Sequence, residues 1–287
     1  MSKILVIIFL SINLINCASS PGNTNDNIVP LKYPVILVHG IIAHDRWNFY
    51  SFWGRIPAVL ESRGVRVFFG NTDSWGSYES NAETLKETID TVLQITNSEK
   101  VNIIAHSKGG LDARYFIWKH DYGDKVASLT TISTPHRGAE LADAILDRKI
   151  VHSYFVRRIL SIFGMMYGDD NPDLYNIINT LSTAHMERFN DEVIMDERVY
   201  FQSMYCSMNK STDDLFFYSS HRYIGRISGA NDGVVSEFSA NWGDNVRKIF
   251  GAINHIEIID IKMRDISGIN IPDIYIEIVR DLAERGF

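Results

Sequence analysis

The stretch VNIIAHSKGG, residues 101–110, decides the fold of this chain. Its first half is a run of apolar, mostly β-branched residues, which is typical of a buried strand. A polar tripeptide and two glycines follow at once, and the residues two places before and after Ser107, Ala105 and Gly109, are both small. Because only small neighbours fit around a very sharp bend, this pattern predicts a strained strand-to-helix turn that exposes the Ser107 hydroxyl.

The rest of the chain from Leu31 alternates short apolar runs with helical patterns. The predicted strands lie at residues 35–38, 65–69, 101–105, 129–132, 199–204, 223–227 and 248–250. The predicted helices cover residues 53–63, 82–95, 109–118 and 273–284. Apolar strands separated by helices form parallel sheets that are covered on both faces. The sequence therefore predicts one α/β domain over residues 31–287, with a mostly parallel sheet and helices on both faces.

The alternation stops between about residues 139 and 190, where the pattern predicts helices only. Residues 151–166 are strongly apolar, and Asn171-Pro172-Asp173 is a typical helix start, with a capping residue followed by proline. These helices are either ordinary core helices or an inserted lid whose apolar face covers a cleft or meets a lipid surface. Periodicity alone does not distinguish the two interpretations.

The first residues have the pattern of an export signal. Lys3 is followed by an apolar run that is short for a membrane span, so residues 1–16 are predicted to be a signal peptide. Leu14-Ile15-Asn16-Cys17 resembles the processing site of bacterial lipoproteins, which implies a lipid on Cys17, anchorage to a membrane and a place in the cell envelope, periplasmic or surface. Residues 17–30 are rich in Ser, Asn, Pro and Gly and are predicted to be a flexible tether. The alternative is plain secretion with cleavage nearby.

The charge argues against a nucleic-acid-binding protein, and the cysteine content argues against a disulfide-bonded one. The net charge of −7 gives no basic surface of the kind that binds nucleic acid, so a nucleic-acid partner is not expected. The chain has two cysteines, Cys17 and Cys206. If Cys17 carries lipid, Cys206 has no partner, so we expect no disulfide and a buried, small apolar Cys206.

A serine hydroxyl becomes a good nucleophile only when a base takes its proton. In folds built around this kind of strand–serine–helix bend, the acid and then the histidine follow the serine along the chain. Of the histidines well beyond Ser107, His255 lies in a loop after a predicted strand, His185 lies inside the helical insertion, and His221 precedes a predicted strand, where we expect a solvated loop residue. Asp232, in a glycine turn after the predicted strand 223–227, is in position to orient the imidazole of His255. Alone, this Asn-Asp-Gly sequence is also an ordinary turn.

Stabilising a developing oxyanion requires fixed backbone N–H groups near the serine. One is expected from Lys108, the residue after the nucleophile, and the other from Ile41, which follows the strand end Val38-His39-Gly40. The alternative for His39-Gly40 is an ordinary turn at the end of a strand.

Taken together, these residues resemble the bacterial true lipases, the triacylglycerol lipase family with the α/β-hydrolase fold. The resemblance covers most of residues 33–260. It rests on residues 34–40, 105–110, 113–115, 134–138, 188–190, 230–235 and 254–255. It implies Ser107, Asp232 and His255 as the catalytic triad, Ile41 and Lys108 as the oxyanion donors, and a helical lid at about residues 140–187.

The resemblance also implies a structural calcium ion that braces the histidine loop. Asp213 or Asp214 occupies the position of one ligand, and Glu257 replaces the aspartate expected as another. Calcium accepts glutamate oxygens, although the longer side chain would place the ion differently. The alternative is a surface glutamate and an Asp-Asp turn. No cofactor is expected for the chemistry itself.

The expected function is hydrolysis of acylglycerol esters through an acyl-enzyme on Ser107. An esterase of short soluble esters, a phospholipase or an acyltransferase would use the same residues. A surface lipoprotein that keeps the fold without turnover belongs to a different class of function. Labelling by a serine-reactive fluorophosphonate distinguishes that binding protein from the enzymes.

Overall fold

The computed structural model describes residues 28–41, 52–147 and 172–287. The predicted signal peptide, Cys17, nearly all of the tether and the apolar segment 151–166 lie outside the described residues. Within the three described ranges, no helix combines the length and the apolar character needed to cross a bilayer.

In the described part of the chain, six strands form one sheet in the order β2-β1-β3-β4-β5-β6. Every neighbouring pair is parallel. The strands are β1 (Val35–Val38), β2 (Val67–Phe69), β3 (Val101–His106), β4 (Val126–Ile132), β5 (Tyr200–Ser207) and β6 (Val246–Ala252). β1, β3 and β4 are buried along their whole length. This agrees with their mainly apolar sequences, since a central parallel strand is covered on both faces.

Helices connect and flank the strands. They are α1 (Ile56–Ser62), α2 (Tyr78–Thr96), α3 (Lys108–His120), α4 (Glu140–Leu146), α5 (Pro172–Thr180), α6 (Thr183–Glu192), α7 (Tyr218–Ile227), α8 (Glu237–Ala240) and α9 (Ile271–Glu284). Local sequence sets several of these boundaries. Ser77 caps α2 by accepting a hydrogen bond from the Ser80 N–H, Ser182 caps α6 in the same way from the His185 N–H, and a proline occupies the first turn of α9.

Two apolar layers sandwich the sheet, and the alternation of side chains along each strand decides which layer a residue joins. Val35 and Leu37 of β1 belong to the layer that contains α1 and α9. Ile36 and Val38 of the same strand belong to the layer that contains α2 and α3. The predicted α/β-hydrolase architecture, a parallel sheet with helices on both faces, is therefore confirmed.

One predicted strand is wrong. Residues 223–227 form the second half of helix α7, not a strand. The run Tyr-Ile-Gly-Arg-Ile is short and apolar, and such a run cannot be assigned to strand or helix by periodicity alone. Ile224 is fully buried, whereas Gly225, Arg226 and Ile227 after it are exposed, so the run does not alternate between buried and exposed residues as a half-buried strand would.

Between β4 and β5 the described residues are helical, as predicted for the region 139–190. α4, α5 and α6 lie there, and α5 begins at the predicted Pro172. α4 contacts α5 through the small apolar cluster of Ala139, Ala142 and Ile178. The described parts of the predicted insertion thus pack on one another beside the sheet.

Candidate active site

Ser107 lies at the bend between β3 and α3, as predicted. Its backbone has φ 54° and ψ −130°, a conformation that L-residues with side chains rarely adopt. The neighbouring strand holds this bend, because the Ser107 N–H donates to the Ile132 carbonyl at 2.9 Å and the Thr134 hydroxyl donates to the Ser107 carbonyl at 2.8 Å. The surrounding structure therefore maintains a strained residue at the carboxyl edge of the sheet.

Glycines around the bend allow the close approach that it requires. A Cβ atom on Gly109 would lie 2.3 Å from the His39 carbonyl oxygen, and one on Gly40 would lie 2.8 Å from the Ser107 Cβ. A Cβ on Gly110 would lie 2.2 Å from the Thr134 hydroxyl. The end of β1, the serine and the start of α3 are packed so tightly that no methyl group fits between them.

The structure brings Ser107, His255 and Asp232 together although they lie far apart in the sequence. The His255 Nε2 is 3.0 Å from the Ser107 Oγ, and the His255 Nδ1 is 2.8 Å from the Asp232 Oδ2. With the carboxylate accepting from Nδ1–H, Nε2 is left to accept the serine proton. This is the geometry of a nucleophile, a general base and a group that orients the base.

Asp232 is held rigidly on its turn. Its Oδ1 accepts hydrogen bonds from the backbone N–H groups of Val234 at 2.9 Å and Val235 at 2.8 Å, which leaves Oδ2 for the histidine. The Asp232 carbonyl also accepts from the His255 N–H at 3.0 Å. The residue is 1% exposed, so its carboxylate interacts with His255 in a dry environment.

His106, which precedes the serine, holds the His255 backbone at its carbonyl group, whereas Asp232 holds it at the N–H group. Its Nε2 lies 3.0 Å from the His255 carbonyl oxygen, so Nε2 carries the proton and donates it. Burial lowers the pKa of His106 well below its usual value, and the nearby His255 lowers it further. His106 is therefore neutral. The sequence reasoning missed this contact, and only its position next to the serine could have suggested it.

The other two candidate histidines lie elsewhere. His185 contacts the Tyr78 hydroxyl through its Nε2 at 3.1 Å. His221 lies on helix α7, where its Nδ1 is 2.8 Å from the Ser211 hydroxyl. The expectation of a solvated loop residue before a strand is therefore wrong for His221.

An apolar cavity of about 240 Å³ opens at the serine. Ser107 and His255 lie in its wall, and most of the other lining side chains are aliphatic or aromatic. They come from the helices after β4 and from the loops after β5 and β6, and include Leu141, Ile178, Phe217, Val234 and Ile256. The described helices of the insertion therefore form one wall of the cavity that opens at the serine.

The two predicted oxyanion donors flank the serine. Ile41 lines the cavity, and its neighbour Gly40 is in close contact with Ser107. Lys108 is the first residue of α3, and its side chain is buried against Asp112, with Nζ 2.8 Å and 2.9 Å from the two carboxylate oxygens. Burial raises the pKa of Asp112, whereas Lys108 and the Asn81 amide oppose that rise. The Lys108 side chain is thus bound to Asp112, so Lys108 could contribute to the site only through its backbone N–H group.

The expected calcium ligands do not fit a calcium ion. Asp213 accepts hydrogen bonds from the N–H groups of Asn209 and Lys210 in its own turn. Asp214 and Glu257 do lie together, but the Lys262 ammonium is 3.1 Å from the Asp214 Oδ2 and 2.7 Å from the Glu257 Oε1. Calcium requires six to eight oxygen ligands. In the part of the chain that the structure describes, no group of three or more His, Cys, Asp or Glu residues could hold a metal.

Cys206, predicted to be a small buried residue, is 2% exposed on β5. Its sulfur lies 3.7 Å from the Ser133 hydroxyl and 3.9 Å from the Asn254 carbonyl oxygen. Burial raises the pKa of its thiol well above the usual value, so the thiol is protonated and inert.

Comparison with known proteins bears on the fold and the family. Residues 33–163 match the model of a family described as having the alpha/beta hydrolase fold. A triacylglycerol lipase of Burkholderia plantarii is 33% identical over 60% of this chain and 51% of its own length. A triacylglycerol lipase of Pseudarthrobacter phenanthrenivorans is 33% identical over 58% of this chain and 55% of its own length. The chain thus spans about half the length of these relatives.

A more extensive match and two solved structures complete the comparison. Triacylglycerol lipase 2 of Saccharomyces cerevisiae is 30% identical over 83% of this chain and 74% of its own length. The mature lipase of Bacillus licheniformis superposes with a TM-score of 0.68 at 20% identity, over 88% of this chain and 94% of that one. A metagenomic carboxyl esterase superposes with a TM-score of 0.72 at 16% identity, over 90% and 78%. At these identities the structural likenesses show the fold alone. The match to the Saccharomyces cerevisiae lipase, together with the family-model match, shows that this chain belongs to the α/β-hydrolase family.

Proposed function

We propose that this protein is a serine ester hydrolase of the triacylglycerol lipase type that acts on acylglycerols. The observation that carries the proposal is the hydrogen-bonded chain from Ser107 to His255 to Asp232 at the mouth of an apolar cavity. Relatives named triacylglycerol lipase support the choice of substrate class.

The chemistry follows from the positions of the side chains. His255 takes the proton of Ser107 as its Oγ attacks the acyl carbon, and the backbone N–H groups of Ile41 and Lys108 donate to the oxyanion that forms. The imidazolium then gives its proton to the departing alcohol, which leaves an acyl group on Ser107. Water attacks this acyl-enzyme by the same route, and the carboxylic acid is released.

The cavity favours an acyl chain over a polar group. Its wall is almost entirely apolar, and burying each methylene of an acyl chain there contributes about 0.8 kcal/mol. A short-chain esterase, a phospholipase or an acyltransferase would use the same triad, but the cavity and the named relatives favour fatty acyl esters.

The test is replacement of Ser107 by alanine. We expect a folded protein whose kcat falls by about 10⁴-fold or more, because the triad acts as a unit. The wild type should react with a fluorophosphonate at Ser107, and the variant should not. Ser128→Ala is the matched control, since Ser128 is also buried but lies on β4 with its hydroxyl 2.7 Å from the Asn102 amide oxygen.

The outcomes separate the candidate functions. Turnover that persists in Ser107→Ala, or wild-type protein that resists the fluorophosphonate, would overturn the proposal and favour a binding protein. Rates on a series of esters of increasing chain length, measured below and above their solubility limits, distinguish a lipase from an esterase of short esters. Added alcohol that accepts the acyl group in place of water would indicate an acyltransferase.

The same proposal includes export and a membrane anchor at Cys17. The basis is the sequence of residues 1–17, an apolar run followed by a lipoprotein-like processing site. An anchored enzyme would meet its lipid substrate at a membrane of the cell envelope, with residues 17–30 as a tether.

A further inference from the structure

Lys262 joins two acidic side chains beside the histidine loop. Its Nζ lies 2.7 Å from the Glu257 Oε1 and 3.1 Å from the Asp214 Oδ2. The Glu257 side chain is 8% exposed and that of Asp214 is 16% exposed, so both carboxylates are largely withdrawn from water. Asp214 follows β5 and Glu257 follows β6, and the ammonium bridges these two loops.

Both carboxylates hold Asn254, the residue before His255. The Glu257 Oε2 accepts from the Asn254 backbone N–H at 3.0 Å, and the Asp214 Oδ2 accepts from the Asn254 side-chain amide at 2.9 Å. The Asn254 Oδ1 in turn accepts from the N–H groups of Ile256 and Glu257. The backbone on either side of His255 is therefore fixed through this amide and two acids.

Two nearly buried carboxylates that contact the same ammonium also repel each other, and each loses hydration energy on burial. A cation between them removes that repulsion. Partial burial lowers the pKa of Lys262, but its hydrogen bonds to Glu257 and Asp214 raise it above the ordinary value. The ammonium is therefore charged at neutral pH and balances the pair.

We propose that Lys262 is a built-in cation that does here what a bound calcium ion would do, bracing the Asn254-His255 loop as a positioning residue for the general base. The inference rests on the proposed function only where it concerns catalysis. Asp214 extends the brace to the cavity, because its Oδ1 accepts from the Phe216 N–H at 2.9 Å and Phe216 lines the cavity.

The test compares three substitutions in the full-length protein. Lys262→Met removes the charge but keeps the length of the side chain, Lys262→Arg keeps the charge, and Lys262→Ala leaves space between the two acids. Lys125→Met is the matched control, since Lys125 also forms an ion pair, with Asp90 at 2.8 Å, but on the surface at the opposite end of the sheet from the serine. Each variant is measured for Tm, kcat and KM, in chelator and in millimolar calcium chloride.

The proposal predicts a wild type whose Tm and kcat are the same in chelator and in calcium. Lys262→Met should lose about tenfold to a hundredfold in kcat with little change in KM, because a displaced base slows the chemical step more than binding. Lys262→Arg should recover most of that loss, and Lys125→Met should resemble the wild type. Lys262→Ala should have a lower Tm than the wild type in chelator and in calcium alike, because the two acids then repel each other with no cation between them.

Three results would overturn the proposal. The first is a wild type that loses stability in chelator. The second is an unchanged kcat in Lys262→Met, and the third is a Lys262→Ala protein whose Tm equals that of the wild type. The Tm measurements need no substrate, so they test the cation even if the protein proves inactive on every ester. Failure of the proposed function would instead appear as absent wild-type turnover with the Tm pattern intact.

Discussion

A single methyl group on Gly109 tests the geometry of the bend. The Cβ of Gly109→Ala would lie 2.3 Å from the His39 carbonyl oxygen and 2.7 Å from that of Val38. Ordinary contact begins at 3.4 Å, so α3 or the end of β1 must retreat by about 1 Å in a region packed as densely as a crystal. Both neighbours are backbone atoms, which cannot rotate away as a side chain would.

This shift of the backbone should lower both the free energy of unfolding and the rate of hydrolysis, and each loss can be measured separately. Overpacking of this kind costs about 1–3 kcal/mol of the free energy of unfolding. Because His39 leads directly into Gly40 and Ile41, the same shift moves a proposed oxyanion donor away from Ser107. A displacement of about 1 Å costs about a hundredfold in rate, equivalent to about 2.7 kcal/mol of transition-state stabilisation. We therefore expect kcat/KM to fall by about that factor in protein that remains folded.

The assay pairs urea denaturation with ester hydrolysis at a temperature where the variant is folded. Gly225→Ala is the control, since Gly225 is exposed on α7 and its Cβ would meet nothing nearer than the Asn231 side-chain nitrogen at 3.8 Å. An alanine there favours the helix by about 0.5–1 kcal/mol and should leave kcat/KM unchanged. If Gly109→Ala hydrolysed esters within a factor of about three of the wild type, the tight approach would not be needed for the chemistry.

Two further predictions concern pH and location. His106 and His136 are fully buried, and burial lowers the pKa of both well below their usual value of about 6.5. Below about pH 6.5 these two histidines bind protons in the unfolded chain but not in the folded one. The free energy of unfolding should therefore be highest above about pH 6.5 and fall below it, by up to about 1.4 kcal/mol per pH unit for each histidine. A urea midpoint that stays constant between about pH 5 and pH 7 would contradict this. Cys17→Ser should move the protein from the membrane fraction to the soluble fraction with its specific activity retained. The control Cys206→Ser should leave the protein in the membrane fraction. Membrane association that survives Cys17→Ser would exclude a lipid on Cys17 as the anchor.

Much of the fold could be predicted because buried parallel strands and the bend at Ser107 have local sequence patterns. The pairing of Ser107 with His255 and Asp232 was also accessible, since chain order and loop position narrowed three histidines to one. The strand predicted at residues 223–227 failed because α7 buries little beyond Ile224, and so short an apolar run fits either structure.

Contacts between distant loops could not be predicted. Lys262 is an unremarkable lysine in the sequence, and nothing local indicates that it reaches both Glu257 and Asp214. His106 is similar, because its bond to the His255 carbonyl depends on how the loop after β6 folds back over β3. Such interactions are set by the tertiary structure, and residue patterns carry information mainly about neighbours along the chain.

The order of the strands also makes the site depend on the last strand of the sheet. Ser107 follows β3 near the middle of the sheet, whereas His255 follows β6, the edge strand that pairs only with β5 in the described sheet. The pairing of β6 with β5 therefore brings the His255 loop to Ser107. Since a serine hydroxyl is a weak nucleophile without its base, we expect a molecule whose edge strand is unpaired to lack turnover.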